Sequence, residues 1–459
     1  MKVDKSYSCF KAYDIRGKIN VEITEDIAFR IGYATAKKLK AKKVVVGYDA
    51  RESSPELSNS AIKGIQAYGA DVLNLGLVGT EEVYHAVANF NADAGIEVTA
   101  SHNPINYNGM KIVKSGSQPL TMDEFTGIQL LVEKNNFKKI KHRGKVGNFR
   151  IEARAAYVRK ILSFVSLKNL KPLKIVLNSG NGAAGPVVDK LENCLNNKCV
   201  YTDFIRVHHE PDPNFPNGIP NPLLEENRAS TSEAIKKVGA DFGVAFDGDF
   251  DRCFLFDNLG NFIPSEYIVG MLAEVFLNKE KSGTIIHDTR VIFNTLNVVN
   301  ACGGNAVSSK TGHAFIKAEM RAQNAIYGGE MSAHHYFREF AYCDSGMIPW
   351  LLIIELMGRK EKKLSELVKD RQQKFPSSGE INFTIKKPEK MIEKVLKYFQ
   401  DQYLYYDYFD GLSVVFEDWR FNLRISNTEP LVRLNLETKK NLDLLNHGIK
   451  KLTKILLGD

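Results

Sequence analysis

Three aspartates fall within five residues at Asp247-Gly248-Asp249-Phe250-Asp251, with Arg252 next and the apolar run Phe242 to Phe246 before. Carboxylates this close raise one another's pKa unless a cation neutralises them. Oxygen-only ligands favour a hard divalent ion, with Mg2+ the natural candidate. An EF-hand does not fit: Arg252 sits where that loop needs Gly, and Asn258 where it needs a bidentate Glu.

A second loop is Thr99-Ala100-Ser101-His102-Asn103-Pro104, after Ile96-Glu97-Val98. A serine at the end of a buried strand is exposed and rigidly held, and His102 or a more distant His or Lys could manage its proton. No Gly-x-Ser-x-Gly elbow surrounds it, which disfavours an α/β-hydrolase. In the third loop, Gly328 to His335, paired glycines admit a ligand close to the backbone. There Glu330 and Ser332 suit neighbouring sugar hydroxyls. Adjacent His334 and His335 diverge on a regular element, so one facing the ligand and one structural is expected. The fourth loop, Arg424-Ile425-Ser426-Asn427-Thr428, offers a guanidinium, hydroxyls, an amide and backbone N–H groups to a phosphate.

These loops need elements to hold them. Val44 to Val46, Lys174 to Leu177 and Thr284 to Ile286 read as buried strands, each running into a polar loop and a helical stretch. Later in each third a second strand precedes the denser loop: Ile96 to Val98, Phe242 to Phe246, and Ala325 to Tyr327. The pattern predicts one α/β unit used three times. Beyond it, Ile381 to Ile385, Leu412 to Phe416 and Phe421 to Leu436 read as alternating strands, and Leu442 to Leu457 as a helix. The expected fold is therefore three similar mixed α/β domains plus a smaller α+β C-terminal domain. The expected bounds are 1–150, 151–258, 259–372 and 373–459.

Length and composition agree. The 459 residues suit about three domains, and 44% hydrophobic with 25% charged residues excludes a disordered or fibrous chain. The net charge of +8 suits anionic small molecules as well as nucleic acid. The basic run Lys138 to Lys145 lacks interleaved aromatics and reads as a solvated linker, so no nucleic-acid partner is expected. Residues 1–11 lack the apolar core of a secretory leader, and no apolar run is long enough to span a membrane. The six cysteines contain no C-x-x-C pair, so reduced thiols in a cytoplasm are expected, with no membrane partner.

Together, in this order, the four loops resemble the α-D-phosphohexomutase family over essentially the whole chain. Thr99–Pro104 resembles its phosphoserine loop, Asp247–Arg252 its metal loop, Gly328–His334 its sugar loop and Arg424–Thr428 its phosphate loop. Lys11 to Gly17, with Tyr13 and Arg16, resembles its N-terminal signature, and Lys310 to His313 a further segment. Phe250 stands where some relatives have glycine. Gly-Glu-Met-Ser-Ala-His at 329–334 resembles the mannose-specific branch.

The resemblance implies four domains around a central cleft. It also implies that Ser101 carries a phosphoryl group and, with Asp247, Asp249 and Asp251, holds Mg2+. The implied reaction interconverts mannose 1-phosphate and mannose 6-phosphate through a 1,6-bisphosphate, which also serves as activator, and supplies GDP-mannose for surface polysaccharide. Lys111 and His334 are the implied acid and base, with His313 a further candidate. His102 would orient the serine or the metal loop, and Arg252 and Arg16 would support the phosphoserine. Tyr13, His313, Glu330, Ser332, Arg424, Ser426, Asn427 and Thr428 would bind the phosphosugar. Monomer and dimer both stay open.

Rival readings are a mutase acting equally on glucose phosphates, and a phosphosugar-binding protein without turnover. A third is a haloacid-dehalogenase-type phosphotransferase with Asp247 as nucleophile. That last superfamily usually has Thr or Val where Phe250 stands.

Overall fold

The computed structural model describes residues 8–11, 14–137, 143–169, 172–198, 202–425 and 431–458. The chain divides into two compact units: residues 1–262 with 339–360, and residues 263–338 with 361–459.

The first unit holds two copies of one β-sheet plan. In the first copy the strand order is Tyr107–Lys114, Ala94–Val98, Lys43–Tyr48, Asp71–Leu77, flanked by Ile15–Lys18 and Val146–Asn148. In the second it is Cys253–Phe256, Phe242–Phe246, Lys174–Asn178, Asp203–Val207. The second unit carries a third copy, ordered His335–Phe337, Tyr327–Gly329, Thr284–Asp288, Asn305–Ser309. In each copy the first strand in sequence pairs in parallel with the second and third, and the fourth turns back antiparallel to the third. The expectation of one α/β unit used three times is met in topology, where sequence identity is too weak to show it. The third strand of the last copy begins at Tyr327 rather than Ala325, although Ile326 N already bonds Thr284 O at 3.0 Å.

Local chemistry explains the elements. All five residues of Ala94–Val98 and of Phe242–Phe246 are buried. Strands covered on both faces read as continuous apolar runs, and each large apolar side chain so buried contributes about 1.5–3 kcal/mol. Helix Glu25–Lys38 starts at Thr24, whose hydroxyl accepts from Ile27 N, and it carries acid in its first turn and Lys37 and Lys38 in its last. Helix Met347–Lys360 is buried from Met347 through Met357 within the first unit. Its start is held by the buried Glu81 carboxylate, which accepts from Gly346 N, Met347 N and Ser345 Oγ. No described helix is long and apolar enough to cross a membrane.

The C-terminal part of the second unit is an antiparallel sheet ordered Ser377–Thr384, Leu431–Thr438, Trp419–Ile425, Leu412–Val415, Tyr405–Asp407. Helices Pro388–Tyr398 and Leu442–Leu457 contribute Val395, Leu445, Leu452 and Leu456 to its core. This is the α+β domain the alternating runs predict.

The plan places chemistry. The loops Thr99–Asn106, Asp247–Arg252 and Glu330–His334 all join the third strand of a copy to its antiparallel fourth.

Candidate active site

In the first unit, strand Ala94–Val98 runs into Thr99, whose Oγ1 donates to Asp49 Oδ2 at 2.7 Å and accepts from Ser101 N at 2.8 Å. Ser101 takes a left-handed backbone, φ +49°. A non-glycine residue there is held by its surroundings rather than by preference. The holding group is Arg51, 1% exposed, which donates to the carbonyls of Ser101, Asn103, Pro104 and Tyr107 at 2.6–3.1 Å.

Ser101 Oγ lies 3.0 Å from Asp247 Oδ2 and 3.1 Å from His102 Nδ1. Arg252 binds Asp247 Oδ2 through Nε at 2.9 Å, and its Nη2 lies 2.6 Å from His102 Nδ1. The Arg252 charge, then burial, holds His102 well below the usual imidazole range. A neutral ring with Nδ1 accepting from Arg252 follows. Arg16 bonds Asp14 and reaches Asn103 Oδ1 at 2.6 Å, bracing the same loop.

Asp247, Asp249 and Asp251 are buried, and one ligand oxygen from each lies within 4.8 Å of the others. Burial, with Asp251 and Asp249, pushes Asp247 up to about 7 against the pull of Arg252. Asp249 Oδ1 is buried without a hydrogen-bond partner among the described residues. Three convergent hard oxygens, one still unsatisfied, fit a divalent cation. Lys111 Nζ lies 2.6 Å from Asp249 Oδ2 and 2.5 Å from Asp251 Oδ2. Burial disfavours its charge, yet Asp249 and Asp251 override this and raise its pKa.

Phe250 also has a left-handed backbone, φ +44°, which explains why glycine suits this position. Its ring fills the space beside Gly79, where a Cβ would meet Phe250 Cε1 at 2.1 Å. The carboxylates on either side keep their positions because that edge is bare.

In the second unit, Glu330 is 2% exposed and accepts from Ser332 Oγ at 2.9 Å and from Gly312 N and Tyr336 OH at 3.2 Å. His334 Nδ1 lies 3.3 Å from Ser332 Oγ, and its side chain is partly exposed. His335 is buried, bonded to Tyr327 OH at 2.7 Å, and so is the structural member of the pair. His313 opens helix His313–Ala322, directly after Gly312.

Arg290 binds Asp288 Oδ2 at 2.6 Å and stands 3.8 Å from Glu330 and 3.9 Å from Glu380. Burial raises Glu330 against the opposing charge of Arg290, with Asp288 adding to the rise. Arg424 lies 3.4 Å from Asp410, and burial and then the Arg290 charge lower its pKa. Arg290 is buried and Arg424 partly exposed; two neighbouring guanidiniums that repel one another are relieved by an oxyanion. Asp410 also accepts from Thr311 N and Thr311 Oγ1, tying the loop before His313 to the C-terminal domain.

The structure thus gathers Ser101, His102, Lys111, Arg16, Arg252 and the three aspartates in one unit. It gathers Glu330, Ser332 and His334 in the other, where His313 and Arg424 also lie. Tyr13, Ser426, Asn427 and Thr428 lie outside the described residues. Sequence reasoning passed over Asp49, Arg51, Asp288, Arg290 and Asp410. The signal for the first four was the repeated Asp-x-Arg at the end of the first strand of the first and third copies.

Four families match the chain in succession. They are phosphoglucomutase/phosphomannomutase alpha/beta/alpha domain I at residues 8–139, domain II at 155–260, domain III at 264–375, and the C-terminal domain at 380–451. The chain belongs to the phosphoglucomutase/phosphomannomutase family. A phosphomannomutase of Escherichia coli (strain K12) is 53% identical over 98% of this chain and 99% of its own. A phosphomannomutase of Vibrio cholerae is 51% identical with the same coverage. The crystal structure of a phosphoglucomutase/phosphomannomutase family protein from Burkholderia thailandensis superposes with a TM-score of 0.86, at 30% identity over 98% of both chains. Membership in this family accounts for the threefold sheet plan and for the mixed sheets.

Proposed function

We propose that the protein is a phosphomannomutase that interconverts mannose 1-phosphate and mannose 6-phosphate. One observation carries the chemistry: Ser101 Oγ stands 3.0 Å from Asp247 within a buried three-carboxylate loop. The sugar follows from curated relatives of about half identity that bear the name phosphomannomutase.

In this reading Ser101 carries a phosphoryl group, placed there by a hexose 1,6-bisphosphate. O6 of mannose 1-phosphate attacks that phosphorus, the P–Oγ bond breaks, and Oγ takes up a proton as O6 loses one. The bisphosphate turns over and returns its O1 phosphoryl group to Ser101, leaving mannose 6-phosphate. Asp247, Asp249 and Asp251, with a phosphoserine oxygen, would hold Mg2+, which when bound neutralises charge on the transferred group. Arg252 pulls Asp247 toward its ionised form against burial, and holds His102 neutral beside Oγ. Lys111 and His334 act as acid and base. Glu330 and Ser332 hold sugar hydroxyls. Arg424, Ser426, Asn427 and Thr428 grip the phosphate that is not reacting, with Tyr13, Arg16 and His313 completing the contacts.

The four domains are taken at 1–150, 151–258, 259–372 and 373–459. The product's use would be GDP-mannose supply for surface polysaccharide. The free cysteines Cys9, Cys194, Cys253, Cys302 and Cys343 suit a reducing cytoplasm.

Ser101→Ala should cut turnover by several orders of magnitude while calorimetry still shows mannose 1-phosphate binding. Near-wild-type turnover would overturn the role of Ser101. Activity should vanish on chelation and return with Mg2+. A kcat/KM for mannose 1-phosphate well above that for glucose 1-phosphate is expected, and equal values would make the enzyme a dual mutase.

A further inference from the structure

Glu97 is a carboxylate in the middle of an apolar strand, and nothing in the mechanism above uses it. It is fully buried, and neither Oε1 nor Oε2 has a hydrogen-bond partner among the described residues. An unsatisfied buried carboxylate is costly and is retained where another state of the molecule satisfies it.

Its surroundings are built to admit it. On one side its strand neighbour is Gly47, where a Cβ would come within 2.6 Å of Glu97 Oε2. A side chain at 47 would evict the carboxylate. On the other side its antiparallel partner is Lys111. Residues directly opposite on antiparallel strands share a face, with Cβ atoms about 5 Å apart, within reach of two long side chains. Burial and the charges of Asp49, Asp249 and Glu82 push the Glu97 carboxyl well up, and the Lys111 charge draws it the other way.

Lys111 spends its donors elsewhere. Its ammonium bonds Asp249 and Asp251, with Thr80 Oγ1 at 3.4 Å. Those two aspartates belong to the metal loop. A divalent cation on that loop and an ammonium a few ångströms away repel each other at low dielectric. The ammonium then needs a second acceptor, and the unpartnered carboxylate lies directly across the sheet.

We propose that Glu97 is the second berth of Lys111. When a divalent cation occupies Asp247, Asp249 and Asp251, Lys111 Nζ leaves Asp249 and Asp251 and bonds the Glu97 carboxyl group, whose proton passes to solvent as the ammonium arrives. Glu97 is a positioning residue: it never touches substrate, and it acts by drawing the competing cation off the metal loop and fixing where the Lys111 ammonium sits. The inference rests on the metal-loop reading.

The test is a double-mutant cycle read by Mg2+ binding rather than by turnover, with calorimetry on wild type, Glu97→Gln, Lys111→Met and the pair. Glu97→Gln should weaken Mg2+ by about tenfold, the scale of losing an outer-sphere partner. Lys111→Met should bind Mg2+ at least as tightly as wild type, and Glu97→Gln should then have no effect. An equal loss in both backgrounds, or no loss in either, overturns the inference and leaves the metal reading standing. Wild type that binds no Mg2+ overturns both. If Glu97→Gln does not fold, a crystal structure of the Mg2+-loaded wild-type enzyme decides. Lys111 Nζ within hydrogen-bond reach of Glu97 supports the berth, and Nζ still on Asp249 and Asp251 overturns it.

Discussion

The first and third copies of the α/β unit close their first strand with the same three-residue turn, Asp49-Ala50-Arg51 and Asp288-Thr289-Arg290. In both, the arginine N–H bonds the aspartate Oδ1 two residues back at 3.0 Å. The guanidiniums then diverge. Arg51 spends its Nη groups on four backbone carbonyls of the serine loop. Arg290 grips Asp288 and faces the carboxylates of Glu330 and Glu380 at nearly 4 Å. A cation bonded to backbone carbonyls is part of the scaffold. A cation facing loosely spaced side chains, with Arg424 nearby, can exchange partners when an anion arrives. One shared turn thus makes a rigid cradle for the Ser101 loop in one copy and a loosely partnered guanidinium in the other.

The largest expected effect comes from breaking the rigid member. Arg51→Met leaves four carbonyls and the Asp49 carboxylate without their buried cation and should cost about 3–5 kcal/mol in urea unfolding. Turnover should fall with it, because the left-handed backbone of Ser101 loses its support. Arg290→Met should be milder in stability and sharper in binding. It should lower kcat/KM by about tenfold to a hundredfold, mainly through KM, as expected for losing one charge-assisted contact to a phosphate. If the two variants show the same balance of stability and KM effects, the contrast between the turns is wrong.

A smaller effect concerns two histidines, the partly buried His85 and the buried His335. Burial lowers His85 to about 4 in the first unit and His335 to about 3 in the second. Their unfolded values lie near 6.5, so the folded state keeps both neutral while the unfolded state takes up protons. Their contribution is fully present above pH 6.5 and is lost as pH falls toward 4 and 3, at up to about 1.4 kcal/mol per pH unit for each group. His85 stacks on Phe340, and its Nδ1 has no partner among the described residues. His85→Phe should therefore be near neutral at pH 7 and flatten the acid limb measured by urea midpoints at pH 7, 5.5 and 4.5. An unchanged limb would show that His85 does not titrate with unfolding.

Much of this was legible in the sequence because buried parallel strands announce themselves as unbroken apolar runs. Phe242 to Phe246 followed by three aspartates has few other readings. The threefold plan was visible as rhythm, and the structure adds the antiparallel fourth strand that sets each loop at the same place. What the sequence hid was partnership at long range. Arg51 looks like turn composition until the carbonyls of residues 101–107 are seen around it. Phe250 looks harmless until its positive φ and the bare edge of Gly79 are seen together. Glu97 looks like an interruption of a strand until its cross-strand neighbour is known.

The central claim is that Ser101 carries the phosphoryl group. The direct measurement is to incubate the enzyme with hexose 1,6-bisphosphate labelled in its phosphoryl groups, remove the sugar and map the label by peptide. The account predicts an acid-stable label on the peptide containing Ser101, chased into the bisphosphate by unlabelled mannose 1-phosphate and absent from Ser101→Ala. A hydroxylamine-labile label on the peptide containing Asp247, or no label on an active enzyme, would contradict it.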